Sequence, residues 1–186
     1  MADLRVASRY VKSLLGLAVE KNALEAVHED MLLFSKVCKE NRAFIAMLRS
    51  PAIRHEKKRD VLMKIFAGRV DLLTIAIIEI LTRKNREPLL PAIANEFHNA
   101  YNEYKGIGKA YVTTTIPMDP DLRKAIESIA KKLSGKKQVE LNEKVDKNLI
   151  GGFILNVGDR QIDASIKSKL RTLELKFNEN YFVRHI

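Results

Sequence analysis

The feature that most constrains this chain is a change of period near its middle. Up to Tyr104 the apolar residues recur every three or four positions, the spacing of one face of an α-helix. After Lys105-Gly106-Ile107-Gly108 the pattern turns to short Val- and Thr-rich runs broken by Gly, Pro and Asp. One sequence with two grammars predicts two domains: an all-α six-helix bundle over residues 1–105 and a smaller α+β domain over 106–186. The glycines at the joint predict that the two can reorient.

In the first half, Asp3 is placed to cap a helix running to about Val19, with Val6, Tyr10, Leu14 and Leu17 on one stripe. Asn22 and Glu25 have the spacing of a capping box for a second helix. There Leu24, Val27, Met31, Phe34 and Cys38 step by three and four. Asn41 opens a short third helix through Phe44, Ile45 and Leu48, stopped by Pro51. A fourth carries Val61, Leu62, Ile65 and Phe66 and ends at Gly68. The fifth, from Leu72 to Leu81, is apolar around nearly its whole circumference, with Glu79 as the interruption. Such a helix must be covered on all sides, and a bundle of this size leaves one side short of an internal partner. Pro88 opens a sixth helix with Leu90, Ile93, Phe97, Tyr101 and Tyr104 inward.

In the second half, Ala110 to Ile116 reads as a strand ended by Pro117, and Asp119-Pro120 starts a helix with Leu122, Ile126, Ile129 and Leu133 on one face. Val139 and Leu141 mark a second strand. Ile150 to Val157 form a third, Gly158-Asp159 turn it, and Arg160 to Ala164 return. A last helix carries Ile166, Leu170, Leu173 and Phe177.

Composition excludes several classes. Of 186 residues, 46% are hydrophobic and 30% charged, the balance of a folded globular chain rather than a disordered one. No apolar run approaches the ~20 residues of a membrane-spanning helix, so no direct membrane insertion is expected. The opening Met-Ala-Asp-Leu-Arg lacks the apolar core of a secretory signal, so the chain reads as cytosolic or as a processed form whose presequence is not seen. The single cysteine, Cys38, allows no internal disulfide and sits at a core position. The formal charge of +10 divides evenly between the halves, as on solvated helix faces.

A search for chemistry finds little. His55-Glu56-Lys57-Lys58-Arg59 begins like a zinc-protease helix, but Arg59 stands where the second histidine must be, so it reads as an exposed charged helix start. His28, His98 and His185 have no ligand-spaced neighbours. Gly106-Ile107-Gly108-Lys109 and Gly151-Gly152 lack the spacing of a phosphate cradle, and no Gly-x-Ser-x-Gly or Cys/His pair suggests a nucleophile. No catalytic residue, cofactor or metal site is predicted. Lys131, Lys132, Lys136 and Lys137, with Lys167, Lys169 and Arg171, keep a nucleic-acid-binding alternative open. Aromatic residues at only 6%, with no Trp, supply few stacking platforms for it. An enzyme with a dispersed site is the other alternative, and it predicts titratable groups converging in a concavity.

The run from Val145 through Asp146-Lys147-Asn148-Leu149-Ile150-Gly151-Gly152-Phe153-Ile154-Leu155-Asn156-Val157-Gly158-Asp159-Arg160-Gln161-Ile162-Asp163-Ala164-Ser165-Ile166 strongly resembles the C-terminal signature of the δ subunit of F-type ATP synthases. The mitochondrial counterpart of that subunit is the oligomycin-sensitivity-conferring protein. Val6 to Leu14 is similar to that family's opening helix, and Asn85-Arg86 followed by Leu89, Leu90, Pro91 and Ile93 to the join of its fifth and sixth helices. Most signature residues have roles in folding. Gly151 and Gly152 permit close backbone approach, Gly158-Asp159 a turn, and Asp163 or Ser165 a helix cap, with Asp146 alongside.

The resemblance implies a non-catalytic peripheral-stalk subunit, present once in a hetero-oligomer on the cytoplasmic face of a bacterial plasma membrane. Its N-terminal domain would receive the N-terminal segment of the ATP synthase α subunit as a helix between the first and fifth helices. Its C-terminal domain would meet the b subunits of the stalk. Neither a cofactor nor nucleic acid has a part in that role. Matched to the family groove, the α-binding residues are Tyr10, Ser13 and Leu17 on the first helix with Ala76 and Ile80 on the fifth. The surplus apolar face of the fifth helix is where an incoming amphipathic helix would lie.

Overall fold

The structure is a computed structural model that describes residues 2–178, with side-chain environments for 5–177. The chain divides into two compact units, Met1–Tyr104 and Lys105–Ile186, the first helical and the second a small α/β unit.

The first unit contains α1 (Ala2–Glu20), α2 (Leu24–Glu40), α3 (Arg42–Arg49), α4 (His55–Phe66), α5 (Leu72–Arg83), a 3-10 turn at Glu87–Leu89 and α6 (Leu90–Tyr104). The α2 stripe of Leu24, Val27, Met31, Phe34 and Cys38 is buried throughout, as its spacing predicts. The rings of Phe34, Phe44 and Phe66 meet at its centre, with centroids 5.2–6.4 Å apart.

Two caps differ from their prediction. Asp3 lies inside α1, because the helix already begins at Ala2. Asn22 does not cap α2; it closes α1 at φ +54, where Ala23 N–H donates to Ala18 C=O and Asn22 N–H to Val19 C=O. That is a Schellman stop, with Asn tolerating the left-handed position. Glu25 instead accepts a hydrogen bond from the Tyr101 hydroxyl on α6. Asn85 closes α5 by the same device, with Arg86 N–H donating to Leu81 C=O.

Burial on α1 also runs differently. Its inner stripe is Ala7, Val11, Leu14 and Ala18, rotated from the expected Val6–Tyr10–Leu14–Leu17 row. The small alanines let α1 lie close to α6, which turns Tyr10 and Leu17 outward. Tyr104, expected inside, is 55% exposed at the last residue of α6. Within the charged start of α4, Lys58 is buried: its Nζ donates to Leu48 C=O at 2.9 Å and lies 4.0 Å from Glu87 Oε2.

The second unit has β1 (Ile107–Thr114), α7 (Pro120–Ser134), β2 (Gln138–Val145), a 3-10 turn at Lys147–Leu149, β3 (Phe153–Val157), β4 (Arg160–Asp163) and α8 (Ile166–Asn178). The sheet order is β2-β1-β3-β4. β2 is parallel to β1 across the α7 crossover, and the remaining pairs are antiparallel. Ala110, Val112, Leu141, Leu155 and Val157 on one sheet face pack with Ile126 and Ala130 of α7. Asp119 caps α7 as expected, but Leu122, in the first turn of that helix, is exposed.

β1 begins three residues earlier than predicted, since pairing with β2 starts at Ile107↔Gln138. Ile150, predicted as the first residue of a strand, sits at φ +66 in the turn before β3. The last helix shows the largest departure. Ile166, Leu170, Leu173 and Phe177 do share a face, but that face is 43–82% exposed.

Candidate partner-binding site

All five residues singled out on the first and fifth helices lie on outward-facing sides of α1 and α5, which pack against one another. On α1, Tyr10 is half-buried, Ser13 exposed and Leu17 45% exposed. Ser13 satisfies its hydroxyl within the helix by donating to Arg9 C=O.

α5 is fixed at its start by two carboxylates. Asp71 Oδ1 accepts from Leu73 N–H at 2.8 Å as the N-cap. Buried Asp30, reaching from α2, accepts from Asp71 N–H and from Thr74 Oγ1, both at 2.7 Å on Oδ2. With the rotation of α5 set this way, Thr74, Ile77, Ile78, Leu81 and Thr82 face inward. Leu72, Ala76 and Ile80, spaced by four, face out, with Leu72 81% and Ile80 44% exposed. The surplus apolar side predicted from composition is therefore a definite row. Leu72 belongs to it and was not among the residues singled out, although the spacing from Ala76 and Ile80 points to it.

The two helices are tied by side chains. Arg86 Nη1 donates to the Tyr10 hydroxyl at 2.9 Å, and its guanidinium lies 5.9 Å from the Tyr10 ring centroid. Tyr10 lies near the middle of α1, and Arg86 stands three residues past the end of α5. Neither Arg86 nor Asp30 carries a local sequence signal for these roles, since their partners are 76 and 41 positions away.

The signature residues of the second unit build its turns. Asp146 Oδ1 accepts from Asn148 N–H at 2.9 Å, capping the 3-10 turn. A Cβ on Gly151 would meet the tip of Ile166 at 2.5 Å, and on Gly152, at φ +76, the backbone oxygen of Ala164 at 2.3 Å. Gly158 at φ +57 and Asp159 form the two-residue link between β3 and β4. Ser165 Oγ accepts from Ser168 N–H at 3.2 Å at the start of α8, while Asp163 accepts from Ser168 Oγ at 2.6 Å and Ser165 N–H at 2.9 Å. The Ser168 hydroxyl, followed by Ser165, holds the Asp163 carboxyl below its ordinary range.

Groups with chemical potential are otherwise engaged. Burial pushes the Cys38 thiol up to about 11. His28 Nε2 and His98 Nδ1 are 2.9 Å apart, and the His28 ring stacks on Tyr101 with centroids 3.6 Å apart. The 70-residue separation of the two histidines hides this pairing in the sequence; His185 lies outside the described residues. A hollow beside α4 and α5 is lined by His55, Glu56, Arg59, Glu79, Thr82 and Arg83, whose charged side chains are exposed and of both signs. Among the described residues, no three His, Cys, Asp or Glu side chains are placed to hold a metal ion. No described helix is long and apolar enough to cross a membrane.

Fold and surface thus define a two-unit protein whose outstanding features are exposed apolar helix rows rather than a constellation of reactive groups. The profile described as ATP synthase delta (OSCP) subunit matches residues 6–177. ATP synthase subunit delta of Cytophaga hutchinsonii is 39% identical over 179 residues, covering 96% of this chain and 97% of the relative. The same-named protein of Christiangramia forsetii is 38% identical over the full length of both. A chain in the cryo-EM structure of the Toxoplasma gondii mitochondrial ATP synthase hexamer shares the fold, with a TM-score of 0.72 over 92% of this chain and 97% of its own, at 23% identity. The chain belongs to the ATP synthase delta (OSCP) subunit family.

Proposed function

We propose that this chain is a non-catalytic peripheral-stalk subunit of an F-type ATP synthase. It links the N-terminal segment of the α subunit on the catalytic head to the b subunits, so that the head does not turn with the rotor and proton flow stays coupled to ATP synthesis. The observation that carries the reading is the outward row Leu72–Ala76–Ile80 on α5, beside Tyr10, Ser13 and Leu17 on α1. An amphipathic helix laid along the two would bury this surface, with Ser13 and Ala76 admitting close approach and Leu17 and Ile80 supplying contact area.

In this reading the N-terminal six-helix bundle docks on the head and the C-terminal unit meets the stalk. The exposed Ile166–Leu170–Leu173–Phe177 row of α8 is an apolar surface of the kind a stalk helix would cover. The subunit is a single copy in a hetero-oligomer, held peripherally at the cytoplasmic face of the membrane, and it needs no cofactor and binds no nucleic acid.

The test is calorimetric titration of the full chain with a peptide of the first ~20 residues of the same organism's α subunit, a helix of about 30 Å. One-to-one binding is expected, weakened at least about tenfold by Ile80→Asp, a charge placed in an apolar contact. Ile80 is partly exposed, so the unfolding midpoint should stay in place. Equal binding by both forms would overturn the assignment.

A further inference from the structure

Glu87 opens the 3-10 turn that precedes α6, and its side chain points into the protein, 2% exposed. Its oxygen Oε1 is buried and accepts no hydrogen bond from any described residue. Such atoms are rare in folded proteins, because a carboxylate oxygen taken out of water has to find a new donor.

The donor at hand is Lys58, which reaches the same place from α4 and is itself 5% exposed. An ammonium carries three protons. One of them goes to Leu48 C=O, at 2.9 Å. That carbonyl belongs to the last turn of α3, where a helix has no partner of its own to offer, so the bond pins the ammonium there. Held in this way, Nζ stands 4.0 Å from Glu87 Oε2, too far for a hydrogen bond. Two opposite charges therefore face each other inside the protein, close but not touching.

The separation fits one particular occupant. Two hydrogen bonds of about 2.8 Å that meet at a water molecule join groups about 4 to 4.6 Å apart. A water at this place accepts from Lys58 Nζ and donates to Glu87 Oε1, which gives it the two polar partners a buried water needs. A metal cation would stand against the ammonium, and an anion against the carboxylate. Immobilising one water costs less than leaving a carboxylate oxygen unpaired in the interior.

We infer that Lys58 and Glu87 form a binding site for a single buried water molecule, which bridges the ammonium to Oε1. The end of α3, α4 and the turn before α6 then meet through a hydrated ion pair rather than a direct one. The site depends on no partner of the chain.

The test is a crystal structure of the full chain fine enough to show ordered water, joined to water–protein NOE spectroscopy in solution. One water peak is expected within about 3.2 Å of both Nζ and Oε1. The Glu87 γ-protons should show a cross-peak at the water frequency, with the sign of a water that tumbles with the protein. Lys58→Met combined with Glu87→Leu should abolish both signals, since an apolar pocket of this size stays dry. A direct contact between Nζ and the carboxylate, with no water peak beside Oε1, overturns the inference. So does a cross-peak that persists in the folded double variant, because that water would belong elsewhere. The crystal and the parent spectrum decide the matter even if the double variant does not fold.

Discussion

The helical unit and the α/β unit fix their internal geometry by different means. Packed helices can rotate and slide, and here polar side chains buried between them hold them in place. Asp30 ties α2 to the start of α5, and Lys58 ties α4 to the end of α3 and to Glu87. In the second unit the register is held by backbone ladders from Ile107↔Gln138 to Val157↔Arg160. Its core beyond them is small and one-sided. Among the described residues, the helical unit encloses its core and leaves apolar side chains out on α1, α2, α4 and α5, whereas the α/β unit leaves the apolar face of α8 exposed.

The comparison breaks most sharply at Lys58. Lys58→Ala removes the cation from a Glu87 that is 2% exposed, and should cost about 3 kcal/mol in the first unit, read as lost hydrogen-exchange protection in α3, α4 and α6. Protection in β1–β4 should be unchanged. Lys58→Met combined with Glu87→Leu should lose much less than the sum of the single changes.

The counterpart in the second unit is Gly152→Ala. It forces a Cβ onto the Ala164 oxygen at a left-handed φ and should cost about 2–3 kcal/mol, seen as loss of protection in β3, β4 and the start of α8. An unaffected sheet would show that the turn is not what holds the signature together.

Smaller and confined to the first unit is an alkaline effect. Above pH 9.0 the unfolded Cys38 thiol ionises, while the native one stays protonated to about 11. The unfolded state then binds fewer protons, so stability falls as pH rises through this window, by up to about 1.4 kcal/mol per pH unit. Cys38→Ala should flatten that slope in chemical unfolding measured at pH 8 to 11. Least of all, Leu173→Asp on the exposed α8 face should move stability by no more than about 0.5 kcal/mol. A larger loss would mean that α8 already buries this face within the chain.

Much of this architecture is legible in the amino-acid sequence. The α2 stripe, the over-apolar fifth helix, the change of pattern at Gly106 and the caps at Asp119 and Ser165 all follow from spacing or local hydrogen bonding. What misleads are positions where a distant contact outweighs a local one. Glu25 has the right offset for a capping box but bonds Tyr101, and Asn22 serves the helix before it rather than the one after. The Val6–Tyr10–Leu14–Leu17 stripe is a sound helical period, yet alanines 7 and 18 set the buried face because α6 passes close by. On the candidate surface, the apolar residues are readable from their period, whereas Arg86 and Asp30 are not.

The sequence by itself determined which segments form helices and strands, the change of pattern near Gly106, the family, and the existence of apolar surface on the fifth helix beyond what it buries. These depend on neighbours within a few positions, or on a count of apolar residues. Only the tertiary structure decided which side of α1 and α5 faces out, that Lys58 and Glu87 meet inside, and that Arg86 stands on Tyr10. Such pairings join residues tens of positions apart, and no local preference encodes the rotation of one helix against another.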